Sequence, residues 1–292
     1  MSGLKLTFYG TRGSIPVPGP STMRYGGNTA CLELKSEEGD WIVFDAGTGI
    51  RTLSESLNLS KSHDIHIFIS HPHWDHISGF PFFAPVFIPG NKVTVYGPGT
   101  FEKTLEEIIR GQMTYSYFPV RTEELQADIK FRELKEETIE LGNFKIETTM
   151  LNHPVTCLGY KIHYKDNVFT YLGDNEPYYN VYNDNDNEID NIALDMNKRL
   201  VQFVTGSDTL VTDAQYIPSE YDSHKGWGHS TTHDTVNMAI KAGVKKLFFF
   251  HHDPQRTDNQ LDYIVNHYRD KMREKGFNLD IFAAMEKKTF DI

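Results

Sequence analysis

Within six positions of this chain, His71-Pro72-His73-Trp74-Asp75-His76, stand four side chains that can bind a metal ion. Ahead of them Ile65, Ile67 and Ile69 alternate in the pattern of a buried strand that runs out at Ser70. Ligands on alternate residues of an extended segment, here His71 and His73, project to one side, and a turn straight afterwards aims Asp75 and His76 at a second point close by. That arrangement suits two adjacent metal ions. A single histidine is more often a half-buried polar residue with a hydrogen-bond partner than a ligand. Three imidazoles and a carboxylate at one strand end are another matter, because burying them without a cation would leave several polar groups unsatisfied.

The chain has 292 residues and 39% hydrophobic content, enough for one large core or two small ones. No long low-complexity linker interrupts it, so it reads as one domain over residues 1–292, with an acidic, asparagine-rich insertion at about 177–207 whose default reading is solvated decoration and whose alternatives are a lid or a dimer contact. The N-terminus lacks an apolar signal region and no segment approaches eighteen consecutive apolar residues, which points to a soluble, cytoplasmic protein that does not bind membranes. Cys31 and Cys157 are too few for a disulfide framework and too far apart in sequence for a thiolate metal motif, so buried packing is their expected role. A formal net charge of −11 disfavours long nucleic acid as a partner, since neutralising its backbone takes clustered Lys and Arg. A small-molecule substrate is expected instead.

Apolar runs, alternating as in Leu4–Tyr9 or continuous as in Lys246–Phe250, predict strands at Leu4–Tyr9, Ala30–Lys35, Trp41–Phe44, Lys92–Tyr96, Lys130–Leu134, Phe144–Met150, Cys157–His163, Val168–Leu172, Thr209–Thr212, Lys246–Phe250 and Ile281–Met285. Helical spacing marks Ile50–Leu57, Phe101–Arg110, Ile192–Phe203, Thr232–Ala242 before Gly243, and a final helix that Thr257 and Gln260 would cap. The glycine- and proline-rich loop from Gly10 to Thr29 has no regular pattern and is expected to line a pocket. Several strands run out into His or Asp: Asp45, His153, Asp174, Asp213, and the pair His251-His252.

HPHWDH resembles the His-x-His-x-Asp-His signature of the metallo-β-lactamase superfamily, and further matches extend from Asp45 to Pro254. The resemblance implies an α/β fold of the four-layer αβ/βα sandwich type. It also implies a ligand set in which His71, His73 and His153 hold one ion, Asp75, His76 and His251 the other, and Asp174 bridges them. His251 is preferred to His252 because the family pattern places Pro three residues after the ligand, as Pro254 stands here. Asp45 matches an aspartate that orients the ligands from behind. Zinc suits the nitrogen-rich set best, with manganese or iron as alternatives.

Asp213 and His229 resemble the acid and histidine that phosphodiesterases of the superfamily, above all the ribonuclease Z-like branch, carry beside the metals. A histidine held by a carboxylate there can protonate a departing alkoxide. The reading is thus a dinuclear metal-dependent phosphodiesterase, with a metal-bridging hydroxide as nucleophile, Asp75 steering the water and His229 as general acid. A small cyclic phosphodiester or cyclic nucleotide is expected over tRNA 3′ processing, because no basic glycine- and proline-rich arm is evident. A β-lactam, lactone or thioester hydrolase and a di-iron oxygen-binding sensor are the alternatives.

Overall fold

Leu4, Leu6 and Phe8 alternate along the first strand and all three are fully buried, which is how one face of a sheet commits itself to a core. The computed structural model describes residues 3–180 and 187–292. Two seven-stranded sheets carry the fold. The first is built from β1 (Leu4–Gly10), β2 (Cys31–Ser36), β3 (Trp41–Phe44), β4 (Asp64–Phe68), β5 (Lys92–Gly97) and β6 (Asp128–Glu133). The second takes β7 (Thr138–Leu141), β8 (Phe144–Met150), β9 (Leu158–Tyr164), β10 (Asn167–Leu172), β11 (Thr209–Asp213), β12 (Lys246–Phe250) and β13 (Asp280–Ala283). β14 (Thr289–Asp291) returns to the first sheet and pairs antiparallel with β1.

The sheet orders are β14-β1-β2-β3-β4-β5-β6 and β13-β12-β11-β10-β9-β8-β7. From β3 to β6 and from β10 to β13 every pairing is parallel; the remaining pairings are antiparallel. Parallel strands deliver their C-terminal ends to one edge, where loops gather. Between the sheets lies an aromatic core that includes Phe44, Phe68, Tyr160, Phe169, Tyr171 and Phe250. α1 (Gly49–Ser56) and α3 (Leu105–Gln112) cover the outer face of the first sheet, packing Ile50, Leu53, Leu105 and Ile109 on Ile67, Val93 and Val95. α5 (Thr232–Ala242) and α6 (Asp258–Lys275) cover the second, with Val236, Ala239, Leu261 and Val265 on Leu210, Leu247 and Phe249. Helix, sheet, sheet, helix is the four-layer α/β sandwich expected. Among the described residues the other α-helices are α2 (Trp74–Ile77), one short turn, and α4 (Asn187–Val204).

Two strands escaped the sequence reading. β7 and β14 are short, four and three residues, and only the open edges beside β8 and β1 make strands of them. α3 starts at Leu105 and not at Phe101, because Thr104 and Glu107 form a reciprocal cap there. Residues 181–186 of the acidic stretch lie outside those described, and α4 takes up most of its second half. Both cysteines are buried, as free thiols. Among the described residues no helix is long and apolar enough to cross a membrane.

Candidate metal centre

Six strand ends supply the site, all at the edge where the parallel strands finish. After β4 the chain stays extended through His73 (φ −64°, ψ 151°), and α2 then turns Asp75 and His76 inward. His153 follows β8, Asp174 follows β10, Asp213 ends β11 and His251 follows β12. At the ends of β3 and β12, Asp45 and His251 adopt φ of 60° and 56°. A non-glycine residue there costs about 1–3 kcal/mol, and the sharp bend swings each side chain back into the centre.

The donors form two sets that share one carboxylate. His71, His73, His153 and Asp174 make the first, and Asp75, His76, His251 and Asp174 the second; within each set the ligand atoms all lie within 4.8 Å of one another. In the first, His73 Nδ1 stands 3.0 Å from His153 Nε2, and His71 Nε2 is 3.4 Å from Asp174 Oδ2. In the second, His251 Nε2 lies 3.0 Å from Asp75 Oδ2, 3.2 Å from Asp174 Oδ1 and 3.3 Å from His76 Nε2. His71 Nε2 and Asp174 Oδ1 are buried without a hydrogen-bond partner. Two groups of lone pairs that face one another, with orphaned members in their midst, fit a pair of divalent cations.

The tautomers agree. His76 Nδ1 donates to Asp45 Oδ2 (2.8 Å), His251 Nδ1 to Gln215 Oε1 (2.8 Å), and His153 Nδ1 to the carbonyl of Gly228 (3.0 Å). His71 Nδ1 reaches Ser70 Oγ at 3.1 Å, and that hydroxyl donates onward to Asp45 Oδ2. Each ring thereby keeps its Nε2 lone pair for the centre. Burial holds His71 well below the ordinary imidazole range and His153 at about 4, so both are neutral, as ligands must be. Burial works against the ionisation of Asp174 and Asp75, yet the surrounding imidazoles keep both below the usual carboxylate range.

Asp45 is fully buried. It accepts hydrogen bonds from Ser70 N (2.7 Å), Ser70 Oγ (3.0 Å), His76 Nδ1 (2.8 Å) and the hydroxyl of Tyr171 (2.5 Å). Asp45→Ala would strand those donors, and we expect it to cost about 3 kcal/mol of stability, seen as a lower denaturation midpoint at unchanged slope. A loss under about 0.5 kcal/mol, the scale of an ordinary surface change, would mean water replaces the carboxylate.

His251 and His252 point apart. His252 Nε2 donates to the carbonyl of Ala284 (2.9 Å), and burial, then the neighbouring Arg12, pushes that ring down to about 3. His251→Ala should therefore lower the bound-metal stoichiometry, whereas His252→Ala should leave it unchanged after equilibrium dialysis; the reverse result would exchange their roles.

Beside the second set, His229 Nδ1 donates to Asp213 Oδ2 (3.0 Å) with its ring 4.9 Å from that of His251. Asp213, His229 and His251 also lie close enough to form a third donor group. Asp213, however, is saturated: its oxygens accept from His229, Ser230 N and Gln215 N. It orients the imidazole, and Asp213 and Asp174 outweigh burial to raise His229 to about 9.

The glycine-rich loop does line the centre. Ser14 N donates to Asp75 Oδ2 (2.7 Å), and a Cβ on Gly13 would fall 2.3 Å from the His251 ring. Sequence reasoning passed over Ser70, Tyr171, Gln215 and above all Glu176. Buried, Glu176 accepts from Tyr221 Oη (2.6 Å), Gly226 N (2.8 Å) and Gly228 N (2.9 Å), fixing the loop whose carbonyl steers His153. The two glycines around Trp227, whose amides need an acceptor, were its one sequence signal.

A family model described as the beta-lactamase superfamily domain matches residues 40–252. Ribonuclease Z of Thermoplasma acidophilum is 25% identical over 324 aligned positions, covering 100% of this chain and 99% of the relative. Human tRNase Z, short form, superposes with TM-score 0.64 at 19% identity over 99% of both chains. Unliganded yeast PDE1 superposes with TM-score 0.69 at 15% identity over 100% of both. The full-length ribonuclease relative overturns the expectation that long nucleic acid is an improbable partner and a small molecule the substrate. A net charge of −11 is a sum over the whole surface, whereas a phosphodiester is met locally, where bound cations supply the positive charge.

Proposed function

Because this chain belongs to the beta-lactamase superfamily, in its ribonuclease Z-like branch, we propose that it is a metal-dependent phosphodiesterase that cleaves RNA. It is a metal-dependent hydrolase; the bond and the substrate are the proposal. What carries the reading is His229, clamped to Asp213 at 3.0 Å next to two ligand sets that share Asp174. Breaking a P–O bond to ribose expels a poor leaving group, so a positioned proton donor is worth much there.

His71, His73 and His153 would hold one ion, Asp75, His76 and His251 the other, and Asp174 both; zinc is favoured by this nitrogen-rich set. When bound, two such ions supply Lewis-acid charge that acidifies water and neutralises phosphoryl oxygens. Asp75, fixed by the Ser14 amide, would orient the attacking water. His229 would give its proton to the leaving oxygen, with Asp213 holding the ring in that tautomer throughout. Ser70, Asp45 and Gln215 would keep the ligand rings from turning.

The test is a panel of 3′-extended RNA, cyclic nucleotides, an aryl phosphodiester, a β-lactam and a thioester, given to zinc-loaded protein. RNA cleavage, abolished by chelator and restored by metal, is the expected result. Turnover of the β-lactam or thioester without any phosphodiester cleavage would overturn the proposal.

A further inference from the structure

The chain has three tryptophans, and the two exposed ones both adjoin the metal centre. Trp74 sits between His73 and Asp75 with 83% of its surface in solvent, and Trp227 precedes Gly228 with 59% exposed. An indole left in water forgoes the burial that its size would otherwise bring, so two of them bordering one site call for an occupant.

Neither is loosely held. Trp74 opens α2, where its carbonyl accepts from Ser78 N at 2.7 Å, and its neighbours on both sides are candidate ligands. Trp227 stands between Gly226 and Gly228, whose φ values are 87° and 88° and whose amides both bind the buried Glu176. The carbonyl of Gly228 in turn receives His153, whose other nitrogen meets His73 at 3.0 Å. One run of contacts, Trp74 to His73 to His153 to Gly228 to Trp227, thus skirts the first ligand set. Exposed aromatic faces on well-anchored backbone beside a phosphodiester site are platforms for stacking bases.

We propose that Trp74 and Trp227 stack the nucleobases that flank the scissile phosphate of a single-stranded RNA segment. The inference rests on the RNA-cleaving reading and names how the same site grips its substrate. Stacking attracts any base whatever the sequence, and it adds to the charge that bound cations would supply at the phosphate.

Fluorescence titration of the zinc-loaded chain tests this, using a short oligoribonucleotide with non-hydrolysable phosphonate linkages and an abasic oligomer of the same backbone and charge count. In the wild type the base-bearing oligomer should quench tryptophan emission and bind more tightly than the abasic one. Trp74→Ala and Trp227→Ala should each weaken its binding about 5- to 150-fold, the span of one lost base stack. Metal content should hold, Trp→Tyr should recover most of the affinity, and with cleavable RNA the loss should fall on KM more than on kcat. Equal affinity for the two oligomers in the wild type, or wild-type affinity in the double Ala variant, would overturn the stacking. If the bases bind and quench as expected while no RNA is cut, the stacking stands and the catalytic reading fails. Cleavage with wild-type KM in the double variant is the opposite result.

Discussion

Asp174→Ala is expected to empty the centre of both ions and lower kcat/KM by roughly a thousandfold or more, since several kcal/mol of transition-state stabilisation leave with the metals. The reason is positional. Every other ligand candidate belongs to one of the two main sets, while Asp174 belongs to both, with Oδ2 3.4 Å from His71 Nε2 and Oδ1 3.2 Å from His251 Nε2. Its loss also leaves five histidines facing one another without their common counter-charge. Metal analysis after dialysis is the direct measurement, with circular dichroism to check that the fold persists. Two equivalents retained in a folded Asp174→Ala protein would exclude a shared carboxylate and dissolve the dinuclear reading.

His229→Ala should spare metal binding and slow catalysis selectively. General acid catalysis contributes about 10²–10⁴-fold when the leaving group is basic and little when it departs unaided. Cleavage of RNA, which expels an alkoxide, should therefore fall by about that factor, and hydrolysis of a p-nitrophenyl phosphodiester should change little. Asp213→Asn should show a milder version of the same selectivity, because the ring would lose its orienting carboxylate but keep its place beside Asp174, 3.9 Å away. Equal slowing of both substrates would strip His229 of the donor role and leave it as a binding residue.

The alternatives separate on these experiments. A thioester hydrolase, whose thiolate leaves unaided, has no use for a proton donor; a β-lactam hydrolase would open the lactam and cut no phosphodiester, and a di-iron sensor would turn over none of the substrates. Stacking by Trp74 and Trp227 would add what neither alternative requires, a grip on bases.

Much of the molecule was legible beforehand because its signals are local. Period-two apolar runs mark β1 and β8, since a strand shows alternate residues to the core whatever it pairs with, and continuous apolar runs mark β3 and β12, which are buried on both faces. HPHWDH declares a metal site because ligand chemistry and spacing sit in six consecutive positions. Composition misled where it was asked a local question: net charge said nothing reliable about the partner.

From residue order alone came the strand and helix series and the HPHWDH motif, for each of these is a property of neighbours in the chain; His153, Asp174 and His251 entered the ligand set through the resemblance. How Gln215 and Asp45 choose the tautomers, that Glu176 braces the loop carrying Trp227, and that β14 closes against β1 were decided only by the tertiary structure. Those outcomes depend on a backbone bend at a strand end and on donors and acceptors distant in sequence, and a hydrogen bond between such groups comes into being only when the two sheets have packed.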